Sequence, residues 1–284
     1  MTTSKYTVLN DTRFVSIKGE DKKDFLQGII TNDINKCDEK AIYSCLLTPQ
    51  GKFLSDFFVI PLKYSFLIEI NQIFISDFIT KLKLYKLRSK VEIEQVNGLT
   101  SFVIIKPSMY KKGSIISSNP YIEYIDPRGM NIGHKIIIKN ELAKNFILSN
   151  NLQLTNIKDF QKILLENLIP DSTQDLIVNK SLLLENNFDE INALDWEKGC
   201  YVGQELTARM KYRSLLKKSL RLVKIDSGKV RPNDNIFLDD KKIGLITSII
   251  EDKGLAMIKI EDANNAIKNK NYLSTTEGQI IIIN

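Results

Sequence analysis

The stretch Lys198-Gly199-Cys200-Tyr201-Val202-Gly203-Gln204-Glu205 is the most informative part of this 284-residue sequence. Two glycines flank a Cys-Tyr pair, and glycine lets a backbone approach a ligand closely. A cysteine beside a lysine at the start of a helix carries more thiolate than an ordinary one. The alternative is a small buried hydrophobic side chain, the usual fate of a free cysteine. The glycines and Lys198 together favour a functional thiol at Cys200.

The residues before this stretch alternate between strand and helix patterns. Period-2 alternation predicts strands, and apolar residues three or four positions apart predict helices. The turn Pro49-Gln50-Gly51 predicts a hairpin between two of the strands. The predicted strands are 13–17, 41–47, 53–60, 64–70, 91–96, 102–105 and 133–138. The predicted helices are 76–88, 141–147 and 159–165, and residues 19–28 are predicted to form a turn and a short helix.

The residues after Arg213 have a different character. Short apolar runs are separated by Gly, Pro, Asn and Asp, which is typical of an all-β module. The sequence therefore predicts a small C-terminal barrel. Its predicted strands are 220–225, 235–238, 243–250, 255–260 and 279–283.

Composition and charge narrow the class of protein. Hydrophobic residues make up 43% of the chain and charged residues 26%, which indicates a globular protein rather than a disordered or fibrous one. No apolar run approaches the roughly 20 residues of a membrane helix. The net charge of +6 suits an anionic partner. This net charge is too small to indicate a nucleic-acid-binding protein by itself. The sequence also has no zinc-ligand spacing, no RNA-binding aromatic motif and no basic arm.

The three cysteines, Cys37, Cys45 and Cys200, have no paired spacing, so the sequence predicts no disulfide framework. A metal site held by the chain needs about four soft ligands, and these cysteines and His134 are too scattered to form one. Residues 1–10 have neither an apolar core nor an arginine-rich amphipathic pattern. We therefore expect a protein of the reducing cytoplasm without a bound metal.

A resemblance to a known family adds to this interpretation. The stretch around Cys200 resembles the hallmark of the YgfZ-type folate-binding proteins, which are related to the GcvT-type aminomethyltransferases. Three further segments resemble the family in the expected order along the chain. They are Phe25–Gly28 with Thr31-Asn32-Asp33, the hairpin Thr48-Pro49-Gln50-Gly51-Lys52-Phe53, and the strand Lys242-Ile243-Gly244-Leu245-Ile246-Thr247-Ser248.

The resemblance implies an α+β fold. Residues 1–215 would form a GcvT-like folate-binding region with two interleaved mixed α/β subdomains, and residues 216–284 the C-terminal β-barrel. The family fold is a three-subdomain cloverleaf around a central channel that holds tetrahydrofolate. The implied function is an accessory role in the assembly or repair of 4Fe–4S enzymes. The implied partners are tetrahydrofolate, or a folate derivative, and iron–sulfur client or assembly proteins that bind transiently.

The resemblance also places a pterin-binding glutamate at Glu185. A pterin presents an amino group and a ring N–H side by side, and a carboxylate accepts both hydrogen bonds as a fork. The alternative for Glu185 is an exposed carboxylate without a ligand. Cys200 and Lys198 are the predicted catalytic residues. The other predicted folate-binding residues are Gly199, Tyr201, Gly203, Gln204, Arg209 and Arg213.

The basic members of this set have solvation as an alternative to ligand binding. Arg209 and Arg213, with Lys211 and Lys217 beside them, would meet the carboxylates of the folate glutamate tail, or they would simply be solvated. Tyr201 would stack on the ligand or hydrogen-bond to it. As whole-protein alternatives to the maturation role, the sequence leaves a folate-dependent one-carbon transferase or demethylase and, with little support, a nucleic-acid-binding module. The Cys200 motif favours the maturation role.

Overall fold

A computed structural model describes residues 4–213 and 215–283. Within them the helices are α1 (Lys22–Gln27), α2 (Ile75–Lys86), α3 (Asn140–Ser149), α4 (Ile157–Glu166), α5 (Gln204–Tyr212) and α6 (Ile260–Asn269). The strands of the first half are β1 (Ser4–Val8), β2 (Thr12–Lys18), β3 (Ile42–Leu47), β4 (Phe53–Pro61), β5 (Ser65–Asn71), β6 (Glu92–Val96), β7 (Leu99–Ile105), β8 (Ile115–Ser117), β9 (Ile122–Ile125), β10 (His134–Lys139) and β11 (Leu152–Leu154). The strands of the second half are β12 (Lys218–Lys229), β13 (Asn235–Leu238), β14 (Lys241–Ile250), β15 (Lys253–Lys259), β16 (Leu273–Ser274) and β17 (Glu277–Ile282).

The chain divides into two compact units, and both are discontinuous in sequence. The first unit contains the residues up to Pro49, then 54–160 and 190–204. The second contains 50–53, 161–189 and the residues from Glu205 onward. The mixed α/β fold and the C-terminal barrel expected from the sequence are confirmed.

The first unit is built on two sheets. One has five strands in the order β3-β4-β5-β2-β6, and the other has six in the order β11-β1-β7-β10-β9-β8. Helix α2 covers the five-stranded sheet with Phe78 and Leu82, and the Phe78 ring lies 4.8 Å from that of Phe57. Helix α3 covers the six-stranded sheet with Phe146, whose ring lies 5.7 Å from that of Phe102. Apolar residues three or four positions apart on each helix thus become the contact with a sheet.

A buried ionic network lies inside the first unit. The Nζ of Lys135 on β10 lies 2.6 Å from Oε1 of Glu69 on β5, and both side chains are at least 97% buried. Ser101 and Tyr124 donate hydrogen bonds to the same carboxylate. The ammonium group also lies 3.7 Å from the centroid of the Phe58 ring. Because several donors surround the buried carboxylate, its desolvation is offset by direct bonds.

The second unit contains a closed six-stranded barrel in the order β12-β15-β14-β13-β16-β17. Strand β12 closes it by pairing with both β15 and β17. Its interior is filled by aliphatic side chains such as Ile236, Ile246 and Ile280, which are fully buried. Gly244 on β14 is required by packing, because a Cβ there would lie 2.6 Å from the carbonyl oxygen of Met257.

The sequence predictions did not include helix α6 or the short strands β1, β8, β9, β11 and β16, and they placed the start of helix α5 differently. Helix α6 follows β15 directly and buries Ala263 and Ala266, but two alanines are a weak signal for an amphipathic helix. Helix α5 begins at Gln204 rather than at Cys200. Cys200 is predicted to lie at the start of a helix, and it lies instead in the loop four residues before α5. No helix within residues 4–213 and 215–283 is long and apolar enough to cross a membrane.

Candidate functional site

The Cys200 thiol lies on an exposed two-residue tip of the first unit. Gly199 and Cys200 are exposed, whereas the preceding Lys198 and the following Tyr201 are each only 8% exposed. The two buried neighbours hold the tip between them. Of the two interpretations of Cys200, the structure therefore supports the accessible thiol and not the buried hydrophobic side chain.

Lys198 does not extend into solvent. Its Nζ donates three hydrogen bonds, to the carbonyl oxygens of Gln27 at 2.9 Å, Ile30 at 2.6 Å and Asn32 at 2.9 Å. It also lies 4.9 Å from the centroid of the Tyr201 ring. Burial lowers the pKa of Lys198 to about 8, although nearby acidic groups oppose the shift. The three donors of the ammonium group are thus matched by three backbone acceptors.

Asp195 orders the chain just before the tip. Its Oδ1 accepts hydrogen bonds from the backbone N–H groups of Glu197 at 2.8 Å and Lys198 at 3.0 Å. Its Oδ2 pairs with the ammonium group of Lys36. Burial would raise the pKa of Asp195, but Lys36 and the backbone donors hold it below its usual value. The carboxylate is therefore charged at neutral pH and fastens the loop at two backbone positions.

The glycines of the motif have different structural roles. Gly203 has a φ of +84°, a left-handed conformation that favours glycine over residues with a side chain. Gly199 has no such requirement, and a Cβ built there would meet no atom within 4 Å. Gln204 follows as the first residue of α5 and is half-buried. The backbone conformation thus explains why residue 203 is glycine, but it does not explain why residue 199 is.

The other two cysteines are in the core. Cys37 and Cys45 are completely buried, and burial raises the pKa of each thiol well above its usual value. The Cys37 thiol donates to the carbonyl oxygen of Val59 at 3.3 Å. Both are structural, and Cys200 is left as the accessible thiol. In the described part of the chain, no group of three or more His, Cys, Asp or Glu residues could hold a metal ion.

Glu185 belongs to the second unit. It lies in the short 3-10 helix Leu184–Asn186 and is half-buried. Burial raises the pKa of its carboxyl group, and the positive charges of Lys218 and Lys52 oppose the shift. None of the described residues donates a hydrogen bond to this carboxylate. A partly desolvated carboxylate whose acceptors are not used inside the fold fits the forked acceptor that a pterin needs.

The basic residues of α5 differ in their environments. Arg209 lies 3.8 Å from Glu205 one turn away, and both side chains are well exposed. Lys211 bonds to Asp189 at 2.5 Å, and Arg213 is exposed. Arg209, Arg213 and Glu185 belong to the second unit, whereas the predicted residues from Lys198 to Gln204 belong to the first. Folate binding by any of them stays a prediction.

A second polar cluster in the first unit was not predicted from the sequence. The Arg128 guanidinium forks onto the buried Asp126 carboxylate, with Nε at 3.0 Å and Nη2 at 2.8 Å. It lies 5.5 Å and 5.0 Å from the ring centroids of Tyr43 and Phe58. The Tyr43 hydroxyl donates to Asp56 at 2.5 Å. Only the short spacing of Asp126 and Arg128 was visible in the sequence, because the other partners are distant along the chain.

Asp195 was missed as well, although a signal was present. An aspartate two or three residues before backbone N–H groups commonly caps them through its side chain. Asp195 stands two residues before Glu197 and three before Lys198, and it caps both.

The chain resembles known proteins both in sequence and in fold. No family model matches the chain. A mitochondrial iron–sulfur cluster assembly factor IBA57 homologue from Neurospora crassa is 29% identical over 235 residues, which cover 75% of this chain and 52% of the relative. The homologue from Pyricularia oryzae is 27% identical over 222 residues, which cover 77% of this chain and 57% of that relative. The chain thus spans only about half the length of these fungal relatives.

A mammalian relative is covered more completely. The mitochondrial iron–sulfur cluster assembly factor IBA57 of Mus musculus is 25% identical over 301 residues, covering 97% of this chain and 82% of the mouse protein. These relatives are named as mitochondrial proteins, so the expectation of a cytoplasmic protein is wrong. It rested on the composition of ten residues and on three unpaired cysteines, neither of which identifies a compartment.

Among solved structures, the glycine cleavage system aminomethyltransferase T from Bartonella henselae has a similar fold. It superimposes with a TM-score of 0.79, covering 100% of this chain and 86% of the aminomethyltransferase, at 11% sequence identity. Identity this low is evidence of a shared fold and not of a shared reaction. The chain is therefore similar in sequence to proteins named as iron–sulfur cluster assembly factors and similar in fold to an aminomethyltransferase.

Proposed function

We propose that this protein is a tetrahydrofolate-binding accessory factor of the YgfZ type that takes part in the assembly or repair of 4Fe–4S enzymes through the Cys200 thiol. The observation that carries the proposal is the accessible thiol of Cys200 on a fastened loop, whereas the other two cysteines of the chain are buried in the core. The similarity to proteins named as assembly factors, over 97% of this chain for the mouse protein, supplies the biological context.

The chemistry of a lone thiol limits how it would act. Thiolates are the usual protein ligands of iron–sulfur clusters, and a stable site needs about four of them. Cys200 alone would contribute one ligand, or one nucleophile, to a cluster held mainly by another protein. The proposed partners are therefore iron–sulfur client or assembly proteins that bind transiently, and the cluster is their cargo.

The folate part of the proposal depends on Glu185. Its carboxylate is half-buried and accepts no hydrogen bond from the described residues, so both oxygens are available for the amino group and ring N–H of a pterin. Lys52 and Lys218 supply positive charge nearby. Arg209 and Arg213 are exposed and would pair with the carboxylates of the folate tail. Bound tetrahydrofolate would supply a carrier for one-carbon groups.

Complementation tests the maturation role. A strain lacking this protein would receive wild type, Cys200→Ala or the matched control Cys37→Ala, which removes a buried thiol. We expect wild type and Cys37→Ala to restore 4Fe–4S enzyme activities and Cys200→Ala to restore little at equal protein abundance. Full restoration of the 4Fe–4S enzyme activities by Cys200→Ala would show that the Cys200 thiol is not needed for the maturation role.

Calorimetry tests the folate role separately. Tetrahydrofolate would be titrated into wild type, Glu185→Gln and the control Glu141→Gln, whose side chain is 74% exposed. An amide cannot accept two hydrogen bonds from the pterin as a carboxylate can, so we expect Glu185→Gln to weaken binding at least about tenfold. Equal affinities for all three proteins would show that Glu185 does not bind the pterin.

A one-carbon transferase or demethylase is the second candidate, and the aminomethyltransferase fold favours it. The discriminating assay supplies an aminomethylated lipoyl carrier protein and tetrahydrofolate and measures methylenetetrahydrofolate. We expect no turnover above background. Sustained turnover by the purified protein would replace the accessory role with an enzymatic one.

A further inference from the structure

The exposed tip at Cys200 is fastened at both ends to the same short segment. Upstream, the Nζ of Lys198 bonds to the carbonyl oxygens of residues 27, 30 and 32. Downstream, the backbone N–H of Val202 donates to the carbonyl oxygen of Gly28 at 3.0 Å. All these acceptors lie between Gln27 and Asn32, at the end of α1 and in the turn that follows it. The Gly199–Cys200 tip is therefore fastened on both sides to this one element of the fold.

That element is itself well ordered. The Gln27 side chain donates to Asp33 at 2.9 Å and accepts from the backbone N–H of Ile34 at 2.9 Å. Asn32 is 6% exposed, and its amide donates to the carbonyl oxygens of Tyr43 and Asn192, each at 2.8 Å. The segment whose carbonyl groups receive Lys198 is therefore also ordered by contacts that do not involve the lysine.

The ammonium group of Lys198 is bound by these backbone carbonyl groups. An ammonium group has three donors and no acceptor, and here three carbonyl oxygens within 2.9 Å take all three. The end of a helix presents carbonyl groups with partial negative charge, which favour a cation. Lys198 therefore has a complete structural role without any contact to the thiol.

Asp195 completes the fastening on the upstream side. Its carboxylate holds the N–H groups of Glu197 and Lys198 and pairs with Lys36 of the 3-10 helix Ile34–Asp38. Lys36 follows the segment that receives Lys198. The side chains of Asp195 and Lys198 thus bind to the same stretch of chain, residues 27–38.

We infer that Lys198 and Asp195 are positioning residues, which fix the Gly199–Cys200 tip on the segment 27–32 and so present the thiol to a partner, and that Lys198 does not activate the thiol. The importance of this presentation rests on the proposed role of Cys200. The geometry of the loop and the reactivity of the thiol, however, can be measured without any iron–sulfur readout.

Two measurements on purified full-length protein separate positioning from activation. The first follows alkylation of Cys200 by iodoacetamide between about pH 6 and about pH 10, with the modified residue identified by mass spectrometry, and gives the pH midpoint of reactivity. The second follows hydrogen exchange of the Lys198 and Val202 amides, which the fastening protects. The variants are Lys198→Met and Lys198→Arg, with Lys18→Met as the matched control because its side chain is 50% exposed.

For Lys198→Met we expect exchange of the two amides to rise at least about tenfold and the pH midpoint to stay within about 0.3 units of wild type. Lys198→Arg keeps the charge but replaces the compact ammonium with a planar fork that does not match three converging carbonyl groups. We therefore expect it to loosen the loop as well. An upward shift of the midpoint by one unit or more in Lys198→Met, or a loop that stays protected, would overturn the inference.

If the Lys198 variants fail to fold, Asp195→Asn tests the same inference. This change keeps the size of the side chain and weakens the caps on Glu197 and Lys198. Faster exchange of the Lys198 amide by at least about tenfold, with an unchanged midpoint, is the expected result. Unchanged exchange would overturn the inference. Failure of Cys200→Ala to impair complementation would reject the proposed function alone, so the two ideas fail separately.

Discussion

Lys135 reaches from β10 to Glu69 on β5, and the two groups meet at 2.6 Å with at most 3% of either side chain exposed to solvent. The pair joins the two sheets of the first unit through charge rather than through apolar contact. Burial lowers the pKa of Lys135, although the Glu69 carboxylate opposes the shift. A buried charge whose partner is removed keeps its desolvation cost and loses its compensation.

The first prediction is that either half of this pair is costly to remove alone. Lys135→Met and Glu69→Met should each lower the free energy of unfolding by about 3–5 kcal/mol. The double variant should cost less than the sum of the two, since it leaves neither charge unpaired. Urea unfolding measures all three, and Lys139→Met, on the same strand and 66% exposed, is the control with an expected change below about 0.5 kcal/mol. Strict additivity of the two single changes would show that the pair is not coupled.

The second prediction concerns thiol chemistry. Iodoacetamide at about pH 8 should modify Cys200 in the native protein and leave Cys37 and Cys45 intact, because both are buried with raised pKa values. In concentrated urea all three should react. Intact-mass measurement counts the adducts, and native modification of either core cysteine on the same timescale as Cys200 would contradict the burial described here.

The third prediction follows from the pKa of Lys198, which burial lowers to about 8 from its usual 10.5. Between these two values the unfolded chain holds a proton that the folded chain has released, so stability rises with pH in this interval. The slope from this one group is up to about 1.4 kcal/mol per pH unit. Urea unfolding from about pH 7.5 to about pH 9.5 should show the free energy of unfolding of wild type rising relative to Lys198→Met. A constant difference would place the pKa elsewhere.

The fourth prediction compares the two glycines of the motif. Gly203→Ala should cost about 1–2 kcal/mol, because alanine must adopt the left-handed φ of +84°. Gly199→Ala should change the free energy of unfolding by less than about 0.5 kcal/mol, because the added methyl group meets no atom within 4 Å. Chemical unfolding of both variants is sufficient. Equal destabilisation would mean that Gly199 has a structural role that its surroundings do not reveal.

The parts of the fold that local patterns determine could be predicted from the sequence. The helix predicted over 76–88 is α2 (Ile75–Lys86), and the strand predicted over 243–250 is β14 (Lys241–Ile250). Both depend on the spacing of apolar residues that are neighbours in the chain. Strands β1 and β11 were not predicted, since each is short and is defined by partners about 100 or more residues away.

The candidate site likewise contains residues that local sequence identifies and residues whose roles depend on distant partners. Cys200 and its glycines stood out because their signal lies within eight residues. The structural roles of Lys198 and Lys135 could not be predicted from the sequence. Lys198 bonds to carbonyl oxygens about 170 positions earlier in the chain, and Lys135 pairs with a carboxylate 66 positions earlier. Sequence proximity suggested that Lys198 acts on its neighbour Cys200, whereas its long side chain reaches a distant segment. Such partners are fixed by tertiary packing, which a single sequence does not display.

The closed barrel of the second unit has a consequence for self-association. A sheet with a free edge offers unpaired N–H and C=O groups on which another chain can add a strand, and many aggregates begin there. Here β12 and β17 pair with each other, so the ring of strands returns on itself. Any molecule that binds this barrel must therefore recognise its side chains or loops, and sequence changes on its outer surface would alter that recognition without disturbing the hydrogen-bonded ring.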